Sequence, residues 1–175
     1  MSAVRDSGIL LHATSLPAPR DDNNGNGRDT GSGELGDGAR QFIDWLAQAG
    51  QSLWQVLPLN PVGPGYSPYT SPSAHAGNLN LISPEELARV GLLDDEMLKH
   101  ELTRHSAKPG AVDFESSTRL RVRLLHIAAQ RFFSLPRQFA DLHDEFRAWC
   151  DGERAWLDDY VLFMALRGSQ GEHLS

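Results

Sequence analysis

The segment from Asn60 to Asn80, NPVGPGYSPYTSPSAHAGNLN, places Tyr66, Ser67 and Tyr69 close together, with His75 and Asn78 further on. A tyrosine ring can lie on the apolar face of a sugar while hydroxyl and amide groups reach its hydroxyls. A compact loop packed by its own aromatic rings would use the same residues. Paired carboxylates could perform acid–base work, but Asp21-Asp22, Asp94-Asp95 and Asp158-Asp159 are adjacent doublets, and sequence neighbours on a helix point in different directions. They read as loop acids and helix-start caps. Gly31-Ser32-Gly33-Glu34-Leu35-Gly36 matches G-x-G-x-x-G and opens a helix. In a dinucleotide fold those glycines follow the first strand at once, whereas Ala13 to Thr30 intervene here, and Leu57-Pro58-Leu59-Asn60 offers no acid after the second strand. A flexible Gly-rich loop is the plainer reading, and a nucleotide-binding βαβ protein the alternative.

No H-E-x-x-H or paired-cysteine pattern surrounds His12 or His75, so no metal site is expected. His12, at a strand end, reads as a hydrogen-bonded structural residue. His100, His105, His126 and His143 fall on helices without ligand spacing, and Ser15 and Ser52 lack a G-x-S-x-G context. The single cysteine, Cys150, excludes an internal disulfide and is expected at the end of an amphipathic helix, beside its core.

Two short apolar runs, Ser7 to His12 and Leu53 to Leu57, predict buried strands. Between them Ala39, Phe42, Ile43, Leu46 and Ala49 repeat at helical spacing, with Asp37 as the expected cap and Gly50 at the left-handed terminus. Strand, helix, strand is a βαβ unit, which forces the two strands to be parallel. The loop from Asn60 then lies on the face where α/β folds bind ligands. The polar stretch Arg20 to Gly38 reads as a surface loop.

Ser83-Pro84-Glu85-Glu86 is a capping box with proline at the first helical position. That helix ends near Gly91. Asp94 opens another running towards His105, and Pro109-Gly110 is a break. Glu115 to Phe133 predicts a longer helix with Leu120, Leu124, Ile127, Ala128 and Phe132 inward. Two more follow, one carrying Phe139, Leu142, Phe146 and Trp149, the other Trp156, Tyr160, Phe163, Met164 and Arg167. Two parallel strands cannot stand alone, because parallel sheets are covered by helices and completed by further strands. The chain therefore reads as the beginning of a larger α/β fold with a helical insertion.

The 175 residues bound the chain to about one domain, and 16 basic against 23 acidic residues give a formal charge of −7. That balance argues against nucleic-acid and anionic-membrane partners. The leading MSAVRDSGILL carries charge before a very short apolar run and predicts neither a signal peptide nor an anchor. A cytoplasmic location is the expectation.

Gly8-Ile9-Leu10-Leu11-His12, Thr14-Ser15-Leu16-Pro17, Phe42-Ile43-Asp44-Trp45-Leu46 and Trp54-Gln55-Val56-Leu57-Pro58-Leu59 resemble the start of the 4-α-glucanotransferases. These are also called amylomaltases or disproportionating enzymes, of the glycoside hydrolase 77 type. Ser67-Pro68-Tyr69, Ala76-Gly77-Asn78, Gly91-Leu92-Leu93, Val112-Asp113-Phe114 and Trp156-Leu157-Asp158-Asp159-Tyr160 continue the likeness. The resemblance implies the N-terminal part of a (β/α)8 TIM barrel with a helical insertion after the second strand, the barrel being incomplete. It divides the chain into residues 1–82, the first βαβ unit with its glucan-facing loop, and residues 83–175, a helical insertion subdomain.

The resemblance also implies transfer of 1,4-α-glucan segments by retaining double displacement, with maltooligosaccharides and amylose as partners and no cofactor. Tyr69 would stack on the sugar beside the cleavage point, with Ser67 close by. No residue matches the family's catalytic carboxylates, which makes the chain an expected N-terminal fragment, inactive alone. Gly63-Pro64-Gly65-Tyr66 departs from the family's Gly-Tyr-Gly-Asp run, so Pro64 stands where a glucan-contacting tyrosine is expected. A non-catalytic glucan-binding module using Tyr66, Tyr69 and Ser67 is the other alternative.

Overall fold

The computed structural model describes residues 6–18, 29–105 and 112–169. Strand β1 (Gly8–Leu10) is followed by a 3-10 turn at Ala13–Ser15, helix α1 (Asp37–Gln48) and strand β2 (Leu53–Gln55). Two further 3-10 turns, Pro64–Tyr66 and Leu79–Leu81, precede helices α2 (Pro84–Arg89), α3 (Asp95–Arg104), α4 (Phe114–Ser134) and α5 (Ala140–Ser169). The strands pair in parallel, Gly8 with Leu53, Ile9 with Trp54 and Leu10 with Gln55, as the βαβ pattern requires. None of these helices is long and apolar enough to cross a membrane.

The strands are shorter and more open than their apolar runs predict. Leu10 and Leu53 are 59% and 56% exposed, because α1 covers one face of the pair and nothing among the described residues covers the other. On the covered face Trp54 meets Phe42 edge-on with ring centroids 5.1 Å apart, and its indole N–H donates to the Leu11 carbonyl at 2.7 Å. Ala13, Leu16, Ala39 and Leu81 complete this first core. Asp37 does not cap α1. Gly36 takes the cap position and Asp37 is the first helical residue, its carboxylate on Arg40 (2.9 Å) and on Arg89 of α2 (2.5 Å). Gly50 has the expected left-handed backbone, with φ of 69°.

Ser83 caps α2 by accepting the Glu86 N–H, and Asp94 caps α3 by accepting from Glu96 and Met97, which is what short polar side chains before an apolar pattern do. Leu120, Leu124, Ala128 and Phe132 are buried along α4, one face of a helix at 3.6-residue spacing. Leu120, Leu124 and Ala128 form a second core with Leu93 and Leu98. The expected break at Pro109-Gly110 lies outside the described residues, as do residues 20–28 of the Arg20–Gly38 loop.

The two predicted final helices are one. α5 runs unbroken for 30 residues through Gly152, around which an added Cβ would meet open space. A single exposed glycine costs a helix only about 1 kcal/mol. The Asp151–Arg154 pair and the flanking apolar contacts offset it. Cys150 therefore sits mid-helix and half-buried, not at a terminus.

Candidate functional site

The loop beyond β2 is closed at its base, where the Asn78 N–H donates to the Leu59 carbonyl at 2.9 Å. Inside it Gly63 N–H donates to the Ser67 carbonyl (3.0 Å) and Tyr66 N–H to the Gly63 carbonyl (3.0 Å), which fold the Pro64–Tyr66 turn. Ser67 Oγ accepts the Tyr69 N–H at 3.3 Å, so the two predicted sugar-facing residues share one turn. Further along, Ser73 Oγ accepts the N–H groups of His75 (3.2 Å) and Ala76 (3.0 Å).

The two tyrosines part company. Tyr66 adopts a left-handed backbone (φ 59°), uncommon for a non-glycine residue, and its ring stacks on Phe114 of α4 with centroids 5.2 Å apart. Burial and the nearby Glu115 raise its hydroxyl above the usual tyrosine range. Tyr69 is 72% exposed, a large ring presented to solvent from a loop whose backbone is bonded to itself. Of the three residues in the binding-module alternative, Tyr66 is thus committed to packing. His75 is committed too, with its ring stacked on Trp156 of α5 at 5.5 Å.

Gly63 sets the geometry of this turn. A Cβ there would lie 2.2 Å from the Thr70 carbonyl oxygen, a clash with backbone that no rotamer relieves. Gly63→Ala is expected to cost about 1–3 kcal/mol, the usual range for overpacking. Urea unfolding checks this, and a cost below that range would mean that the turn is free to move.

The glycines of the G-x-G-x-x-G match are explained by packing. Gly31 has φ of 84°, Gly33 faces the Ala13 carbonyl so closely that a Cβ would come within 2.2 Å, and Gly36 does the same towards Ser83 Oγ (2.6 Å). A cavity of about 350 Å³ opens beside Gly31–Gly33, but Asp29 is the one charged residue of its lining, which suits a phosphate poorly. The loop is also not the flexible element expected of it. Arg121 of α4, 1% exposed, donates to Glu34 (2.6 Å), Thr30 Oγ1 (2.9 Å), Ser32 Oγ (3.2 Å), the Ile82 carbonyl (3.3 Å) and Ser117 Oγ. Burial pushes the Glu34 carboxyl up to about 7 against the opposing pull of Arg121. Sequence reasoning missed this cluster, although Ser117, Arg121, Leu124 and Ala128 fall on one helix face and so mark a polar stripe continuous with the core.

His12 does not find its expected partner. Its Nδ1 is buried without a hydrogen bond, and burial lowers its pKa. Among the described residues no three His, Cys, Asp or Glu side chains gather as a metal site would need.

The model of the family described as 4-alpha-glucanotransferase matches residues 11–174. A 4-alpha-glucanotransferase of Synechocystis sp. is 41% identical over 165 residues, covering 93% of this chain and 29% of the relative. The chloroplastic/amyloplastic 4-alpha-glucanotransferase of Solanum tuberosum is 37% identical over 169 residues, covering 94% of this chain and 27% of its own length. Among solved structures, the amylomaltase from Streptococcus agalactiae in complex with acarbose superposes with a TM-score of 0.77 at 32% identity, over 97% of this chain and 31% of that one. The chain thus spans a little under a third of the proteins it resembles.

Proposed function

The chain belongs to the 4-alpha-glucanotransferase family, and from that premise we propose that it supplies the glucan-facing start of an enzyme that transfers 1,4-α-glucan segments. Residues 1–82 would form the first βαβ unit of an incomplete barrel and residues 83–175 its helical insertion. Separate cores around Ala13–Leu81 and around Leu98–Leu124 support that division. The donors and acceptors would be maltooligosaccharides and amylose. A cytoplasmic location belongs to the same proposal, the potato relative being named for plastids.

The observation that carries the reading is Tyr69, a solvent-facing ring fixed by the Ser67 turn at the C-terminal side of a parallel strand. Its face would pack on a pyranose, and Ser67 would hold the turn that aims it. Retaining transfer needs a carboxylate nucleophile and a carboxylic acid about 5–5.5 Å apart, which form and then discharge a glycosyl-enzyme onto a sugar hydroxyl. No carboxylate lies on the Ser67–Tyr69 turn, so this chain's own part would be binding and orientation.

Maltoheptaose titration of the purified chain tests it. Tyr69→Ala is expected to weaken binding about tenfold, the worth of one aromatic stacking contact. Equal affinity in the variant would remove Tyr69 from the site. Incubation with maltotriose is expected to release no glucose, and sustained release would place catalytic carboxylates in this chain.

A further inference from the structure

A second cavity lies between the end of the loop and α5, with a volume of about 130 Å³, and Asn78 and Tyr160 supply polar groups to its wall. Asn78 is 4% exposed and its Nδ2 has no hydrogen-bond partner. The orientation of that amide is fixed, because Oδ1 accepts the Asn80 N–H at 2.9 Å and so must face the backbone. Two amide hydrogens are left without an acceptor on a residue that lines the cavity. Such a buried donor costs about as much as a lost hydrogen bond unless something fills the space and accepts from it. The neighbouring polar residues are already engaged, Asn80 Nδ2 donating to Thr118 Oγ1 at 2.9 Å.

Pro61, Pro72, Leu79 and Met164 give the wall its apolar part, with the half-buried Tyr160 hydroxyl and Arg167 of α5 beside them. Burial raises that hydroxyl's pKa and keeps it protonated, able to donate or accept. The space is about ten times what one water molecule needs. Donors on one side and aliphatic carbons on the other match a pyranose, whose hydroxyls and ring oxygen accept hydrogen bonds and whose C–H faces do not.

We propose that this cavity is a second sugar site, holding a single glucosyl ring against Asn78 and Tyr160, apart from the Tyr69 turn. The choice of a glucosyl ring rests on the glucan reading above. The cavity and the unpartnered amide stand without it. A twelve-heavy-atom ligand at ordinary ligand efficiency gives a dissociation constant of about 2 mM.

Glucose titration of the 15N-labelled full chain, followed at the Asn78 side-chain amide pair by NMR, tests the site. A saturable shift of that pair is expected. Met164→Trp, which fills the cavity from the half-exposed side of α5, is expected to weaken glucose at least about tenfold. Tyr160→Phe, which removes one hydroxyl and leaves the fold intact, should weaken it by a smaller factor. Tyr69→Ala should leave glucose binding unchanged while weakening maltoheptaose, so the two sites fail independently. Asn78 signals unmoved by glucose would mean that the cavity holds trapped water only. Glucose affinity unchanged in both Met164→Trp and Tyr160→Phe would place the sugar elsewhere. Either result overturns the proposal.

Discussion

Replacing Arg121 with alanine is expected to cost about 3–5 kcal/mol, the usual penalty for removing one member of a buried ion pair. The guanidinium reaches Glu34, Thr30, Ser32, Ser117 and the Ile82 carbonyl, and so joins α4 to the Gly31–Gly36 segment and to the entry of α2. Without it the Glu34 carboxyl keeps its burial and loses its counter-charge, while the hydroxyls of Thr30 and Ser117 lose the charged donor they accept from. In thermal melts the midpoint should fall by about 10 °C. Amide exchange should accelerate in Gly31–Gly36 before it does in the Leu98–Leu124 core. Arg121→Lys keeps the charge and loses the fork, so it should fall between the two. A loss below about 1 kcal/mol in Arg121→Ala would mean that the pair contributes little beyond its own desolvation.

The second large effect is a dependence of stability on pH. Burial raises the Glu34 carboxyl from its ordinary 4.5 to about 7, with Arg121 and a hydrogen bond from Ser83 pulling the other way and Glu85 adding to the rise. Between those values the folded chain holds a proton that the unfolded chain has released. Stability from this group is therefore fully present below about pH 4.5 and declines as pH rises towards 7. The decline is on the order of 3 kcal/mol across the window. Urea midpoints at about pH 5 and about pH 7.5 would read it. Glu34→Gln should flatten the difference, since the amide still accepts from Arg121 and carries no titrating proton. A wild-type midpoint that rises over the same interval would reverse the sign and refute the assignment.

Local chemistry made much of this fold legible. Ser83 and Asp94 are caps because short acceptors precede a helical pattern, and both accept the backbone N–H groups that this role demands. Leu120, Leu124, Ala128 and Phe132 are buried because their spacing puts them on one stripe. Tyr69 reaches solvent from the loop that the βαβ reading put beyond the second strand. What stayed hidden depended on distant partners. Arg121 is buried only because Glu34 is there to receive it, 87 positions away in sequence, and no window of residues contains both. Leu10 and Leu53 lie in two apolar runs that look buried, yet exposure depends on whether a neighbouring layer is present. The apolar positions up to Trp149 and from Trp156 onward read as two helices, and α5 passes through Gly152 between them because one exposed glycine is a small cost to a long helix. The glycines of Gly31–Gly36 fit a nucleotide fingerprint by type, while their reason is steric, against Ala13, Leu16 and Ser83.

The stacking of Tyr66 on Phe114 ties two parts of the molecule into one mechanical unit. Phe114 is the first residue of α4, directly after the Asp113 cap, and Tyr66 is the left-handed hinge from which the Ser67–Tyr69 turn departs. The tyrosine that faces solvent is therefore borne on a footing at the capped first turn of α4, and helix ends open before helix middles. Any event that loosens the first turn of α4 would tilt the platform under Tyr69, with no contact to Tyr69 itself. Any ligand that presses the turn down would, by reciprocity, hold that helix end wound.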